Sequence, residues 1–484
     1  MIIRKYIHTL KYLKLRQIVF LIARKFNLKR FILNPIDLDL KKNKSKSRFL
    51  RIARSGCNNI NLKHSFTEIL DGMVEQKLFL YNIFYLNDYS DQRYLHFHLQ
   101  CYATKSIFLE PYPTSLRLVN LLYYSDLTDE DVTRCLETDV KNLSLNIEYE
   151  LDGNHLLENF LALSLFELVF LEGRKYTQKF GRLLEAQFVD SQWHFEQSPM
   201  YQAILLERLQ CYLAVTSMFD APDNPVIALV KQILVKGVGY MALFHVNGVM
   251  LNFNDSTGGN SLSIEHLVNN NKLLNLECPE KVSSFELIKN GFARIENAKH
   301  VVVVDASKVL ADHIPGHIHS ATGTFWLFRD GKPFVVNNAI STYQENSTRT
   351  LERGSSFHNC IVPKVEFNEV WGCFRVARRV YSKIHGGENS IALNAKLLTG
   401  QTYSRSFSLG EYLTITDRLD DSEEKITACI YFDPSVSPSL IVKHVHSTSI
   451  YCIDVVDIPV EFNKLVTSHF IYYKFSGSNI VSIQ

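Results

Sequence analysis

The apolar residues of this chain change their period once. From about residue 60 to 250 they recur at helical spacing, in runs such as "TSLRLVNLLYYS", "NHLLENFLALSLFELVFLEG" and "PMYQAILLERLQCYLAV". Polar caps, Pro and Gly break these runs, and Gly173 follows one of them in the position of a C-terminal stop. From about 240 the runs shorten. "YMALFHVNGVMLNFND", "HVVVVDAS", "GTFWLFRDGKPFVVNNA" and "SLIVKHVHSTSIYCIDVV" are rich in Val, Ile and aromatics, with Asp-Gly, Asn-Gly or Ser/Pro turns between them. Helices followed by strands predict an all-α domain joined to an all-β domain. A chain of 484 residues is also too long for one compact core. The expected division is a basic helix and linker over 1–54, a helical domain over 55–245 and a β domain over 246–484.

Charge is unevenly spread. Residues 1–54 hold 16 Lys/Arg against two acids, Asp37 and Asp39, which leaves 36 basic and 48 acidic residues for the rest, about −12. The longest apolar run in the opening, Ile18–Ala23, is too short for a signal-peptide core and is closely flanked by charges. No uninterrupted stretch reaches the roughly 20 apolar residues of a membrane helix. Two readings of the arm stay open: an amphipathic helix touching anionic lipid, or a leading helix packed on the body. No nucleic-acid motif accompanies the basic run. "KKNKSKSR" (41–48) reads as a solvated linker. The nine cysteines are odd in number and contain no C-x-x-C pair, which speaks against a disulfide framework or a cysteine zinc cluster.

Polar clusters interrupt the helical half. Arg117 and Asn120 lie one turn apart in "EPYPTSLRLVN". Asn154 and His155 open a helix in "LDGNHLLENF", with Glu158 and Asn159 a turn on, and Glu196 and Tyr201 flank a Ser-Pro helix start in "HFEQSPMYQ". In the second half, His317 and His319 stand two apart in "IPGHIHSATG", so an extended chain would point both imidazoles to one face. Asn can neutralise an anionic group, and Tyr or His can remove or deliver a proton. Each has a plainer reading too: Asn154 as a helix cap, His155 as a satisfied histidine, Arg117 as a structural ion pair, Tyr201 as core.

Taken in order, "GNHLLEN", "SPMYQ", "PGHIHS", "SSFHN" and "EVWGCFRVARR" resemble the heparinase II/III-like family of polysaccharide lyases. "PYPTSLRLVN" and the basic opening are similar to members found with bacterial surface-polysaccharide genes. The resemblance implies a multidomain α+β chain, an incomplete (α/α) toroid followed by an antiparallel β-sandwich. It implies β-elimination on a uronate-containing acidic polysaccharide, in capsule or exopolysaccharide metabolism. Asn154 and His155 would engage the uronate carboxylate, with His155 also a possible base; Tyr201 would act as base or acid at the sugar ring, and His317 would complete the catalytic set. Arg117 and Glu196 are the candidate substrate-binding residues. The resemblance also implies a zinc ion held by His319, Asn337 and His358, but "VVNNA" places the amide of Asn337 where a carboxylate is expected. Ala321 likewise stands in place of an Asp. An amide oxygen is a weak zinc ligand, and Asp330 or Glu345 could take its place.

Two other function classes remain. A non-catalytic polysaccharide-binding or assembly protein could keep the fold, its cleft lined by Arg117, Arg349, Arg353 and aromatics. A metal-dependent hydrolase fits less well, because no carboxylate pair or H-E-x-x-H accompanies the histidines. The expected location is cytoplasmic or the inner-membrane surface, with the periplasm as the alternative.

Overall fold

The computed structural model describes residues 2–33, 36, 46, 49–54, 110–171, 174–221, 224–259, 261–277, 282–420, 425–462 and 464–484. Gly173, most of the expected linker and Cys57, Cys101 and Cys278 lie outside them. The six cysteines within them are free, and four of these are buried.

Helices fill the first half and strands the second, so the chain is a mixed, multidomain α+β protein. The long helices of the described part are Pro111–Tyr124, Glu130–Asn146, Gly153–Phe170, Lys175–Gln187, Pro199–Met218 and Pro225–Met241. Their starts follow local chemistry. Asp129 and Asn224 cap with side-chain oxygens, Ser198 accepts from the Tyr201 amide, and Pro occupies a first-turn position in three of the six. The helices Gly153–Phe170 and Pro199–Met218 are buried nearly all round, so their apolar residues form no stripe. Ile264–Leu273 packs back onto the last two long helices, so helical packing runs past residue 245. By length and composition Pro225–Phe244 could cross a membrane, with a mean hydropathy of 1.6 in its most apolar window, yet half of it is buried inside the protein.

The strands form a four-stranded antiparallel sheet from Phe292–Glu296, His300–Asp305, Thr324–Arg329 and Lys332–Val335 in sequential order. A six-stranded sheet and a second four-stranded sheet follow, also antiparallel. Strands Thr324–Arg329 and His300–Asp305 are buried on both faces, because alternate residues of a strand point opposite ways. Phe325 and Leu327 join the core between the sheets, whereas Trp326 and Phe328 join the core built by the helices. Val302 and Val304 divide from Val303 in the same way. These two strands are the wall between the two cores, which explains their near-continuous apolar runs.

Behind that wall lies a buried ion pair. Arg405 and Asp417 sit opposite each other in register, with Arg405 Nε 2.7 Å from Asp417 Oδ1 and Arg405 Nη2 2.9 Å from Oδ2. Tyr403 donates to the same carboxylate at 2.8 Å. Arg405 Nη1 donates to the carbonyls of Gly323 and Asn359, which flank segments carrying site residues. Removing one partner would leave a buried charge uncompensated. Asp417→Ala should lower unfolding free energy by about 3–5 kcal/mol in denaturant titration; a loss under about 1 kcal/mol would deny the pair this role.

Candidate active site

Four segments converge between the helices and the wall. The first is the start of helix Gly153–Phe170. Asp152 and Gly153 both adopt positive φ, 57° and 54°, and a Cβ on Gly153 would lie 2.1 Å from Glu196 Oε1. Only glycine lets the chain turn there with Glu196 in place. The turn brings the Asn154 amide to Glu196 Oε1 at 3.1 Å. Asp152 is anchored by Lys14 and Arg16 at 3.3 and 3.2 Å, with His313 at 3.4 Å. Burial raises the Asp152 pKa, but the His313 hydrogen bond and the two cations outweigh it and hold it at about 2.

His155 projects from the same turn, part exposed, with Nδ1 3.2 Å from Glu148 Oε1. Asn159 props Glu148 from behind: its Oδ1 accepts from the Glu148 amide at 2.9 Å and its Nδ2 donates to Oε2 at 3.1 Å. Burial lowers the His155 pKa, yet the charge and hydrogen bond of Glu148, with Glu196 and Glu158 behind, win, and the net shift is upward.

The third and fourth segments supply Tyr201 and the histidine pair. Ser198 caps the helix Pro199–Met218 and donates to the Asp255 carbonyl at 2.7 Å, fixing Tyr201 against the 254–256 loop. The Tyr201 ring lies 4.0 Å from that of His317, and its hydroxyl meets that of Tyr343 at 3.0 Å. Burial, helped by the charge of Asp255, raises the Tyr201 pKa, so the phenol is neutral at rest. His317 Nδ1 lies 2.9 Å from Asp255 Oδ2, and its Nε2 lies 3.7 Å from Glu196 Oε2. Since a carboxylate only accepts, the Nδ1 side of the ring carries a proton toward Asp255. Asp255 is fully buried and also takes Arg349 in a bidentate pair at 2.6 and 2.7 Å and His319 Nε2 at 2.7 Å. Burial raises its pKa, but Arg349 and the two histidines drive it well below the ordinary range.

The structure therefore brings Asn154, His155, Glu196, Tyr201 and His317 close together. Arg117 is not part of it. Its guanidinium is buried and paired with Asp139, Nε to Oδ2 at 2.7 Å, which is the structural reading of that residue. Arg353 is likewise buried, donating to the carbonyls of Gly316, Ile318, Gly372 and Cys373. Glu158 faces Arg208 inside the helical half, and Asn120 accepts from Arg54. Three residues at the site escaped the sequence reading: Glu148, Asp255 and Tyr343. The acids of "IEYELDGN" were visible, but nothing in one sequence ties Asp255 to a histidine 62 positions away.

His319, His358 and Asn337 do not make a zinc set. His319 Nδ1 and His358 Nε2 face each other at 3.2 Å, and their outer nitrogens face Asp255 and Asn337 Oδ1. The Asn337 oxygen points at the far side of the His358 ring and accepts the Thr324 hydroxyl, while its amide donates to Asn252. It serves as a hydrogen-bond partner of the ring, and no carboxylate completes the four ligands that a structural zinc takes. Asp330 and Glu345 are exposed at the surface, and among the described residues no three His, Cys, Asp or Glu side chains gather to hold a metal. Burial lowers the His319 pKa to about 4 and that of His358 well below its ordinary value.

Two outcomes are expected. Glu148→Gln should lower the His155 pKa in an NMR titration of its imidazole; an unchanged value would sever that link. The raised pKa means that this pairing adds stability below the ordinary value of about 6.5 and loses it as pH rises through the folded value. Exhaustive chelation should leave the thermal midpoint unchanged, whereas a fall of several degrees, restored by zinc, would reinstate a metal.

No curated protein sequence matches this chain significantly. Residues 280–454 match the family model described as Heparinase II/III-like, C-terminal. Among solved structures, a heparinase III superposes with a TM-score of 0.59 at 15% identity, over 81% of this chain and 73% of that one. Another heparinase III gene product gives 0.57 at 14%, over 77% and 67%. Heparan sulfate lyase HepC from Pedobacter heparinus gives 0.51 at 13%, over 85% and 75%. At such identities the structural likeness speaks for the fold, and the family model for the β-rich half. The likeness to the heparinase II/III-like family is thus carried by residues 280–454.

Proposed function

We propose that the cleft is that of a carbon–oxygen lyase and cleaves a uronate-containing acidic polysaccharide by β-elimination. The observation that carries this reading is the placement of His317: its Nδ1 lies 2.9 Å from Asp255 Oδ2, its Nε2 lies 3.7 Å from Glu196 Oε2, and its ring lies beside that of Tyr201. In the proposed step His317 Nε2 takes the proton from C5 of the uronate. The C–H electrons form the C4–C5 double bond, the C4–O4 bond breaks, and O4 takes the proton of the neutral Tyr201 hydroxyl. Tyr343, 3.0 Å away, hydrogen-bonds the phenolate that forms. Asp255 and Glu196 flank the imidazolium that develops.

Loss of a C5 proton is difficult because the neighbouring carboxylate resists further negative charge. Its neutralisation is the main electrostatic task. Here it falls to Asn154 and to His155, whose upward-shifted pKa favours the imidazolium. We further read the helical half as an incomplete (α/α) toroid and the paired sheets as a β-sandwich. The link to capsule or exopolysaccharide metabolism rests on the resemblance of "PYPTSLRLVN" and the basic opening. The reading as a binder gains nothing from the arginines named for it, since Arg117, Arg349 and Arg353 are all buried against internal partners.

The test is ultraviolet absorbance of the unsaturated uronate after incubation with a panel of acidic polysaccharides. One glycan should give a rising signal, which Tyr201→Phe and His317→Ala each slow by roughly 10²–10⁴-fold. Silence across the panel with binding retained would instead support a non-catalytic protein, and saturated products would point to hydrolysis.

A further inference from the structure

The basic arm is anchored to the body on one side and bare on the other. The leading helix Ile2–Leu10 is held through Arg4 to Glu369 at 2.8 Å, Tyr6 against Trp371 at 4.7 Å, and Thr9, which accepts from the Trp371 indole at 3.2 Å. The next helix, Leu15–Lys25, buries Gln17, Phe20 and Ala23, with Phe20 against Tyr149 at 4.6 Å. Its Gln17 side chain donates to the carbonyls of Glu150 and His313. The arm is thus a packed part of the molecule, as the plainer sequence reading has it.

Its outer surface does not look like that of a soluble helix. Ile3, Ile7 and Leu10 are exposed on the first helix, and Leu15, Val19, Ile22 and Phe26 on and just after the second. The spacings, 3-7-10 and 15-19-22-26, are those of one helical face in each case. Exposure reaches 76% for Ile3 and Leu15 and 63% for Phe26. Singly exposed apolar residues need no explanation, but contiguous apolar patches mark a surface that meets something.

Charge narrows what that partner is. Residues 1–33 contain nine Lys/Arg and no acid. Arg4, Lys14, Arg16, Arg24 and Lys29 face acids of the body, Glu369, Asp152 and Glu150. Among the described residues no acid pairs with Lys11 or Lys25, and both are exposed beside the apolar stripes. A second copy of this chain would set one basic apolar face against another and repel it. A free acidic glycan would satisfy the cations and leave the Ile, Leu and Phe side chains in water. An anionic bilayer answers both, since headgroups take the cations while the apolar stripe enters the interface. Residues 55–484, at about −12, are repelled by such a surface, which leaves the arm as the part that faces it.

We propose that the outer face of the two N-terminal helices docks on an anionic lipid surface, with the helices lying in its plane. Gln17, Lys14 and Arg16 grip the 150–152 loop and the 313 segment, so docking fixes the orientation of the cleft rim to the bilayer.

The test is flotation of the full-length protein with vesicles of phosphatidylglycerol and phosphatidylcholine, and with phosphatidylcholine alone. The protein should float with the anionic vesicles, remain behind with the neutral ones, and detach as salt is raised. The triple variant Ile7→Glu, Val19→Glu, Ile22→Glu should lower the bound fraction at least about tenfold. Its thermal midpoint should stay within a few degrees of the parent, because Ile7, Val19 and Ile22 are 61%, 42% and 52% exposed. Unchanged flotation of that variant, or equal binding to neutral vesicles, would overturn the proposal. So would a concentration-dependent dimer in light scattering that the same substitutions dissolve, since the stripe would then be covered by a second copy.

Discussion

The site depends on one buried carboxylate. Asp255 receives both arms of Arg349, the Nδ1 side of His317 and the Nε2 side of His319. A fully buried charge is tolerated only when its lone pairs are filled, and here each partner is in turn held by something else. Arg349 also donates to the Cys373 carbonyl and lies over the rings of Tyr343 and Phe374. The Asp255 amide donates back to the His317 carbonyl at 3.0 Å, so backbone and side chain fix the same residue. Through this node, a loop between the two halves sets the tautomer of one histidine and the tilt of another.

The same node accounts for the histidine pair that suggested a metal. His319 and His358 are held by ordinary hydrogen-bond partners on their outer nitrogens, the arrangement that also orients ring ligands in metal sites. What differs is the third member. In Asn337 the residue has become a bridge between Thr324, Asn252 and the His358 ring. A polar cluster closed in this way orders the segments that carry His319 and His358 through directional bonds to the Asp255 carboxylate and the Asn337 amide.

Much of the fold was legible because periodicity is a local signal. The change from period 3.6 to period 2 separates helices from strands, and the caps at Ser198 and Asn224 stand where the sequence puts them. The helix Ile264–Leu273 was hidden by its polar run "NNNK", whose Asn270 and Asn271 are in fact buried and hydrogen-bonded to Gln210. In the site, Asn154, His155, Tyr201 and His317 each stand in a visible motif, and they lie near Glu196 or near one another. Arg117 was a weaker candidate for an anion, and its partner Asp139 lies 22 residues along the chain on another helix, where only packing reveals it. Asp255 and Tyr343 sit in loops whose side chains reach across the domain junction, where no periodicity reports them.

The wall of strands shared by the two cores has a consequence for how the chain can be divided. The stretch that matches the family model ends at residue 454. Strand Lys464–Phe475 pairs with both Tyr451–Glu461 and Ile426–Tyr431, and Ser478–Ile483 lies between Leu413–Leu419 and Val445–Ser447. Cutting the chain at 454 would remove interior strands from two sheets and open rows of unpaired amides. Cutting near 280 would strip the helices from Val303, Trp326 and Phe328. The segment that matches the family model is therefore not a unit that can be lifted out: the boundary of sequence likeness and the boundary of cooperative folding fall in different places.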